Sequence, residues 1–384
     1  MHAFESCCAW RPVRRLIAHA FLGVRMPSYL DRHETRTPRT RETALFRDLK
    51  GILSVAKGRA PTLRRQLVGV DLSKLKSRAD LARIPVLHRT DLERLQKETP
   101  PFGGLAGSRA GAVTRLLISS GPTFVPEGHA KDWWSAARAM NAAGFERGDI
   151  VLNSFSYHLS AGGRIVESGA HALGCAVIPA GESGLDQQVD VIRHLKPSAY
   201  CGSPEFLQRL LARYDELWGE PASINKALFS GIAPNVLVEE HLRSRGIRVH
   251  RCYGSDELGV IAYQTQLKDG RCSDEMVVNE GVIVEIVKPD TGIPVPFGVV
   301  GEVVVTRLNA DYPLLRLATG DLSALLPGPS PCGRTNLRFR GWLGRVDQRQ
   351  GDTQVRTSEP PARRSKRLAK SSGANAQFDE RRPG

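Results

Sequence analysis

The chain of 384 residues predicts an α/β fold with helix-covered, largely parallel sheets and a smaller antiparallel β region. Three observations predict this class. First, an apolar fraction of 41% is enough for a sizeable core. Second, short apolar runs alternate with helical patterns between residues 150 and 252, which is typical of a parallel sheet. Third, the apolar runs after residue 260 follow one another through turns, as in antiparallel hairpins.

Helices are predicted over residues 41–98, where Leu45, Phe46 and Leu49 begin one apolar stripe. Residues 114–128 are predicted to form a buried strand that runs into a loop. The strands expected next are 150–152, 175–178, 199–201, 227–229 and 247–252. The helices expected between them are 164–173, 186–195, one that begins at Ser203-Pro204, and 236–244. Antiparallel strands are then expected at 282–287 and 301–306.

Ligands of parallel sheets bind outside the carboxyl ends of the strands. The loops that follow the predicted strands are 154–163, 202–204, 230–234 and 253–259. We therefore expect these loops to open on the same edge of the sheet, and the chemistry to lie there.

The net charge of +14 is concentrated in two end segments. Residues 1–25 hold four arginines and one glutamate, and residues 349–384 hold nine Lys or Arg against four Asp or Glu. Residues 1–25 are expected to be an extension that is disordered or not native. Residues 348–384 are expected to be a disordered basic tail, or a segment translated in a shifted reading frame. Nucleic-acid binding is the less favoured alternative, and it would depend steeply on salt.

The seven cysteines are scattered, which is typical of reduced thiols and predicts a cytoplasmic protein. No stretch reaches the roughly 18 uncharged apolar residues that a membrane-spanning helix requires. Cys272 and Cys332 are too few for a closed tetrahedral zinc site, so buried free cysteines are favoured. The sequence makes no prediction of oligomeric state.

Three motifs carry carboxylates, and the first follows a predicted strand. Tyr253–Gly259 offers a ring that could stack on a base, glycines that allow close approach to a ligand, and carboxylates that could hold Mg²⁺. A purely structural turn explains it equally well. Thr319–Asp321 puts a carboxylate in a tight turn, where it could accept from a ribose diol or simply form the turn. The third motif is Gly344–Asp347.

The order and spacing of these motifs resemble the adenylate-forming superfamily of acyl-CoA synthetases, most closely its phenylacetate-CoA ligase branch. Further matching segments are Ser119-Ser120-Gly121, Ser230-Gly231 and Pro331-Cys332-Gly333-Arg334. The resemblance implies that residues 26–347 form the large domain of such enzymes, with residues 260–340 as a β-rich subregion. The basic tail 348–384 then stands where the family has its C-terminal domain.

The resemblance also implies a two-step ligation. A small carboxylic acid, expected to be an aryl acid like phenylacetate, attacks the α-phosphorus of ATP and releases pyrophosphate, with Mg²⁺ bound. The thiol of coenzyme A then displaces AMP from the acyl-adenylate. A non-catalytic remnant that binds AMP or acyl-adenylate is the alternative.

Roles for particular residues follow from the same resemblance. Glu257 would hold Mg²⁺, Asp321 would bind the ribose hydroxyls, and Tyr253 would stack on adenine. Arg345 would act in catalysis at the hinge that Asp347 marks. The other residues implied to bind the nucleotide are Ser119, Ser120, Gly121, Ser230, Gly231, Gly254, Ser255 and Asp256. The acyl pocket would be lined by Tyr157, His158, Gly162 and Gly163.

The sequence departs from the family at the phosphate loop and beside the metal carboxylate. Pro122 and Pro126 remove backbone donors, and Glu127 would bring negative charge near the polyphosphate. Asp256 stands where the family usually has Thr or Ser. The sequence therefore predicts either another way of holding the phosphates or impaired phosphate binding.

Overall fold

The computed structural model describes residues 29–119, 121, 123–181, 183–231 and 235–347. The expectations for residues 1–25, for the tail 348–384 and for Ser120 lie outside these residues.

The described strands are β1 (Leu87–His88), β2 (Arg115–Ile118), β3 (Phe124–Glu127), β4 (Ile150–Asn153), β5 (Ala176–Pro179), β6 (Ala199–Gly202), β7 (Lys226–Phe229), β8 (Arg248–Ser255), β9 (Gly259–Gln266), β10 (Cys272–Val278), β11 (Val282–Val287), β12 (Gly301–Arg307), β13 (Leu317–Ser323), β14 (Leu325–Leu326) and β15 (Arg338–Phe339). The described α-helices are α1 (Pro38–Ala56), α2 (Pro61–Gln66), α3 (Arg78–Leu81), α4 (Arg89–Glu98), α5 (Ala137–Ala142), α6 (Gly162–Leu173), α7 (Leu185–Leu195), α8 (Pro204–Trp218) and α9 (Val236–Ser244).

The predicted α/β class is confirmed. Five strands pair in parallel in the order β5-β4-β6-β7-β8, and antiparallel strands β9, β10, β15 and β14 extend the same sheet. A second sheet has the order β1-β13-β12-β11, in which only the β1–β13 pair is parallel. The antiparallel strands therefore both continue the parallel sheet and build a second one.

The helices begin and end where local chemistry predicts. At the start of α8 the side chain of Ser203 accepts a hydrogen bond from the Phe206 N–H, and Pro204 occupies the first turn. Gly219 ends the helix in the left-handed conformation. Helices α7, α8 and α9 share a core cluster with strand residues such as Tyr200 and Phe229. Helices α5 and α6 share another cluster with strands of the same sheet.

The segment 114–128 differs from its prediction, because the expected loop is a second strand. β2 and β3 form a two-stranded antiparallel sheet with Arg115 opposite Glu127 and Ile118 opposite Phe124. Pro126 lies opposite Leu116 in this sheet. Proline is tolerated in a strand at a sheet edge, where no ladder hydrogen bond is lost. Two of the residues that depart from the family's phosphate loop, Pro126 and Glu127, thus lie in β3, and Pro122 lies outside the described residues.

Two motifs for which the sequence allowed a turn lie wholly or partly in strands. Tyr253, Gly254 and Ser255 are the end of β8, which pairs in parallel with β7 in its first half and antiparallel with β9 in its second. Asp321 lies inside β13, with Gly320 at a φ of 77° where the register with β12 shifts. Asp321 therefore rests on sheet backbone, whereas Asp256 and Glu257 lie in the turn that joins β8 to β9. No helix of the described chain has the length and apolarity to cross a membrane.

Candidate active site

A cavity of about 330 Å³ lies at the carboxyl ends of the parallel strands. The predicted residues that line it are Gly162, Ser230, Gly231, Gly254, Ser255, Asp256, Glu257 and Asp321. They come from the loops after β4 and β7 and from the segment around the end of β8, together with β13. The expectation that these loops open on one edge is confirmed, except that residues 202–204 do not contribute to the lining.

Glu257 is the most enclosed acidic group of the cavity, with its side chain 1% exposed. Its Oε1 accepts hydrogen bonds from Thr123 Oγ1 at 3.1 Å and from Arg89 Nη2 at 3.2 Å. Arg89 also lines the cavity. A buried carboxylate needs such partners, and here they hold it at the cavity wall.

The backbone beside this carboxylate is held by a second arginine. Arg307 donates to the carbonyl oxygens of Glu257 at 2.9 Å and Trp133 at 2.8 Å, and its guanidinium lies 4.8 Å from the Trp133 ring. Burial lowers the pKa of Arg307 to about 10, so the group is still a cation at neutral pH. The position of Glu257 is therefore fixed both by the contacts of its carboxylate and by the contact of its backbone carbonyl with Arg307.

The tip of the β2–β3 hairpin lies against Arg89. Ser119 Oγ and Thr123 Oγ1 are 2.7 Å apart and both residues are buried. A Cβ placed on Gly121 would lie 3.4 Å from Arg89 Nη2. Ser119 and Gly121 are thus next to the cavity, although neither lines it.

The sequence predicted that Glu127 brings negative charge near the polyphosphate, and the structure places Glu127 away from the hairpin tip. Glu127 lies at the base of the hairpin, about 10 Å along the strand from the tip at the usual rise per residue. Its carboxylate pairs with Arg115 at 3.1 Å, and burial raises its pKa. The negative charge is therefore both distant from the tip and countered.

Asp321 is at the other end of the cavity and accepts three hydrogen bonds. The Tyr253 hydroxyl donates to Oδ2 at 2.9 Å, while Trp342 Nε1 and Arg345 Nη1 lie 3.2 and 3.4 Å from Oδ1. The Tyr253 ring stacks on Phe339 with centroids 5.3 Å apart, and burial raises its pKa. Tyr253 is not a lining residue. It contacts the site through its hydroxyl.

The glycines of the Tyr253 motif allow neighbouring backbone segments to approach each other closely. A Cβ on Gly254 would lie 2.4 Å from the carbonyl oxygen of Gly259, and one on Gly259 would lie 2.4 Å from that of Trp134. Close approach to a ligand was the expectation from the sequence. The close approach that the structure shows is between backbone segments.

Three of the four residues expected in the acyl pocket lie outside the cavity lining: Tyr157, His158 and Gly163. Asn153 Nδ2 donates to both the Tyr157 hydroxyl at 2.7 Å and the Gly163 carbonyl at 2.9 Å, which holds the ring against the start of α6. His158 is exposed. The wall beside Gly162 is instead apolar, with Ala136, Phe155, Ile165 and Val166.

Known proteins resemble this chain in both sequence and structure. Residues 128–309 match the model of the AMP-binding enzyme family. The phenylacetate-coenzyme A ligase of Thermus thermophilus is 31% identical over 324 residues, 81% of this chain and 72% of that protein. The Escherichia coli ligase of the same name is 29% identical over 336 residues, 83% and 74% of the two chains.

The chain belongs to the adenylate-forming superfamily, in its phenylacetate-CoA ligase branch.

The fold agrees with this membership. A solved open conformation of 2-hydroxyisobutyryl-CoA ligase, in complex with 2-HIB-AMP and CoA, is similar with a TM-score of 0.74 and 28% identity. The similarity covers 82% of this chain and 77% of the solved one. An acid–CoA ligase of the adenylate-forming type uses ATP and coenzyme A. Asp321 and Arg345 lie beyond the residues that the family model matches.

The carboxylates of this adenylate-forming enzyme fit Mg²⁺ only together with phosphate. No group of three or more His, Cys, Asp or Glu in the described chain is arranged to hold a metal. Mg²⁺ is usually bound by one or two carboxylates plus substrate phosphates. Glu257 and Asp256 in one cavity match that pattern. Of the cysteines weighed for zinc, Cys332 is buried and Cys272 is half-buried, and both are free thiols.

Arg345 and Asp347, which the resemblance placed at a hinge, lie at the edge of the second sheet. The backbone of Arg345 forms a bridge with that of Asp321, and Arg345 Nε is 3.4 Å from Asp347 Oδ1. The Asp347 side chain is exposed. Arg345 thus contacts both Asp321 of the cavity and Asp347.

Arg89 is a residue of the cavity that the sequence did not predict. It begins α4 directly after β1, and β1 reaches the cavity because Leu87 pairs with Leu317 of β13. No motif contains Arg89, and pairing across about 230 residues leaves no local signal. The apolar wall combines Ala136 before α5, Phe155 of the loop after β4, and two residues of α6, and which of these side chains face the cavity depends on how the segments pack together.

Proposed function

We propose that this chain activates an aryl carboxylic acid, of the phenylacetate type, with Mg²⁺ and ATP and transfers the acyl group to coenzyme A. One observation carries the proposal. A single cavity holds the buried Glu257 carboxylate paired with Arg89, and the Asp321 carboxylate of β13 at its other end. An apolar wall lies beside them. A nucleotide needs the first two features, and an apolar acid needs the third.

The polar residues would bind the nucleotide. Asp321 would accept from the ribose hydroxyls, and Ser230 and Gly231 would line the adenine slot with Gly254 and Ser255. Adenine stacking on Tyr253 would use the ring face opposite Phe339, because Phe339 covers the other. These assignments are supported by the position of each residue on one cavity or next to it.

The phosphates would be held without the lysine and glycines of the family's usual loop. Arg89 lies against both Gly121 and Glu257, so its charge faces the region between the hairpin tip and the carboxylate. Glu257 and Asp256 would hold Mg²⁺, which screens phosphate charge when bound. Negative charge that develops on the leaving pyrophosphate would be stabilised by the Arg89 guanidinium.

The reaction would begin when a carboxylate oxygen of the acid attacks the α-phosphorus, and the bond to pyrophosphate breaks. The sulfur of coenzyme A would then attack the acyl carbon and AMP would leave. The cavity favours the first step by holding the acid and the nucleotide in contact. Arg345 and Asp347 would serve at the hinge between the two steps.

The apolar wall supports an aryl acid over a hydroxy acid. Ala136, Phe155, Ile165 and Val166 offer no side-chain hydrogen-bond partner. A hydroxyl group buried there would lose its bonds to water, whereas an aromatic ring would gain from burial. We also propose that residues 26–347 act as one large domain whose β-rich part is 260–340.

ATP–pyrophosphate exchange tests this function. We expect exchange to depend on added acid, with phenylacetate and benzoate more effective than 2-hydroxyisobutyrate, and the free thiol of coenzyme A to be consumed in the full reaction. Background exchange with every acid, together with AMP binding in a calorimeter, would replace the proposal by non-catalytic nucleotide binding. Phe155→Asp should abolish the response to phenylacetate while AMP binding persists.

A further inference from the structure

Trp342 lies in a segment that is fixed alongside β13. The Leu343 N–H donates to the Leu322 carbonyl at 2.9 Å, and the Leu322 N–H donates to the Gly344 carbonyl at 2.8 Å. The Val346 N–H donates to the Gly320 carbonyl at 2.9 Å. These backbone bonds set the register that places Trp342 and Arg345 over Asp321. Trp342 belongs to none of the motifs that predicted the site.

The acceptor sites of Asp321 are nearly filled. A carboxylate has about four lone-pair positions, two on each oxygen. The Tyr253 hydroxyl takes one on Oδ2, and Trp342 and Arg345 take both on Oδ1. One position remains, but a ribose diol brings two hydroxyl donors. One of the present donors must therefore move before the diol can bind through both hydroxyls.

Arg345 is the donor best able to move. Its contact with Oδ1 is the longer, at 3.4 Å, and its flexible side chain has Asp347 as a second partner at the same distance. Trp342 is a rigid side chain with one donor group, and its N–H lies 3.2 Å from Oδ1. Tyr253 is buried and stacked on Phe339. Trp342 and Tyr253 can thus keep one bond each on the two oxygens.

We propose that Trp342 is a ribose-positioning residue. Its indole N–H keeps a hydrogen bond to Oδ1 of Asp321 when the nucleotide binds. Arg345 leaves Oδ1, where one ribose hydroxyl then donates, and the other hydroxyl donates to the free acceptor position on Oδ2. The inference rests on the proposed role of Asp321. It adds a residue that makes this cavity select a ribose over a deoxyribose.

The test compares Trp342→Phe with Trp218→Phe. Phenylalanine keeps an aromatic ring and removes the N–H, and Trp218 is a matched control because it is similarly exposed, at 42% against 37%, at the end of α8. Binding of AMP and of 2′-deoxy-AMP is measured by calorimetry and by intrinsic fluorescence. Melting temperatures of all three proteins establish that they are folded.

We expect the unaltered chain and Trp218→Phe to bind AMP about tenfold more tightly than 2′-deoxy-AMP, the usual effect of a hydrogen bond to a charged group. In Trp342→Phe this preference should fall to about twofold, and the fluorescence change on AMP binding should disappear. The KM for ATP should rise with kcat unchanged, because the altered contact orients the nucleotide and touches no reacting atom.

A full preference for AMP in Trp342→Phe would overturn this inference alone. Failure of the unaltered chain to bind AMP would overturn the role of Asp321, and the proposed function with it. A lower melting temperature with unchanged AMP preference would show that Trp342 is merely structural, which also contradicts the inference.

Discussion

Arg89 places a positive charge at the cavity, on the side where we propose that the phosphates bind. It lies 3.2 Å from the Glu257 carboxylate and against Gly121 at the hairpin tip. Its side chain is 30% exposed, so the ion pair is open to a ligand on one side. A fixed guanidinium at this place is suited to the multiple oxygens of a phosphate chain.

Replacing Arg89 by alanine should lower acid-dependent ATP–pyrophosphate exchange about 10²- to 10³-fold, since one preorganised charge at the reacting centre is lost. Arg89→Lys should recover part of the rate. Arg94→Ala is the matched control, because Arg94 lies on the same helix and forms exposed pairs with Asp91 and Glu98. Exchange by Arg89→Ala at the rate of the control would contradict the role.

His250 is a residue whose protonation opposes folding. It is 4% exposed in β8, and neither ring nitrogen has a hydrogen-bond partner among the described residues. Burial lowers its pKa to about 3, with Arg248 adding to the effect. When the pH is below about 6.5, the ordinary pKa of histidine, His250 therefore binds a proton in the unfolded chain but not in the folded one.

We expect His250→Leu to flatten the acid side of the stability profile. The free energy of unfolding of the unaltered chain should fall by up to about 1.4 kcal/mol per pH unit as pH drops from about 6.5 towards 5 because of this group alone. Urea denaturation at pH 7, 6 and 5 measures the difference between the two proteins. His194→Leu, an exposed change on α7, should keep the original slope.

The start of α6 illustrates how an element is fitted to its neighbours. A Cβ on Gly163 would lie 2.8 Å from the Tyr157 ring and 2.9 Å from the Ser156 carbonyl oxygen. The Gly163 N–H donates to that same carbonyl at 2.9 Å. Glycine is needed here for contact with the preceding loop, so the loop and the helix form one packed unit.

Gly163→Ala should therefore lower the free energy of unfolding by about 1–3 kcal/mol, the usual cost of overpacking. Gly51→Ala is the opposite control, because Gly51 lies in the exposed face of α1 with nothing within 4 Å of its Cβ position. That change should raise stability by about 0.5–1 kcal/mol through helix propensity. Denaturation midpoints that shift in the same direction for both would refute the argument.

At the scale of elements, sequence reasoning succeeded where the hydrophobic pattern is local. The bounds of α9 and of β11 agree with the predicted 236–244 and 282–287. It failed where a strand depends on a distant partner. β8 continues to Ser255 because β9 pairs with it, and β3 is a strand because β2 lies beside it.

At the scale of the whole molecule, Glu34 joins distant parts of the described chain. It is fully buried and accepts a hydrogen bond from the Tyr263 hydroxyl of β9 at 2.8 Å. Arg334 lies 3.2 Å and Arg138 of α5 3.6 Å from its carboxylate. The segment before α1 is thereby tied to the parallel sheet's helices, to β9 and to the loop before β15.

Glu34→Ala should lower the free energy of unfolding by about 3–5 kcal/mol, because buried guanidinium groups lose their counter-charge. The control is Glu93→Ala, which removes an exposed pair with Lys97 on α4 and should change stability by about 0.5 kcal/mol or less. Urea denaturation of both variants measures this. Equal midpoints would show that the buried pairs contribute no more than the exposed one.

The sequence by itself determined the fold class, the order of most elements, the family, and eight residues that line one cavity. These predictions rest on local periodicity and on motifs with fixed spacing, which can be recognised in the sequence without knowledge of distant contacts. Only the tertiary structure decided that Arg89 faces Glu257, that an apolar wall stands in place of Tyr157 and His158, and that Trp342 contacts Asp321. Arg89 and Glu257 are 168 positions apart in the chain, and all three features depend on how strands, loops and helices pack together rather than on local pattern.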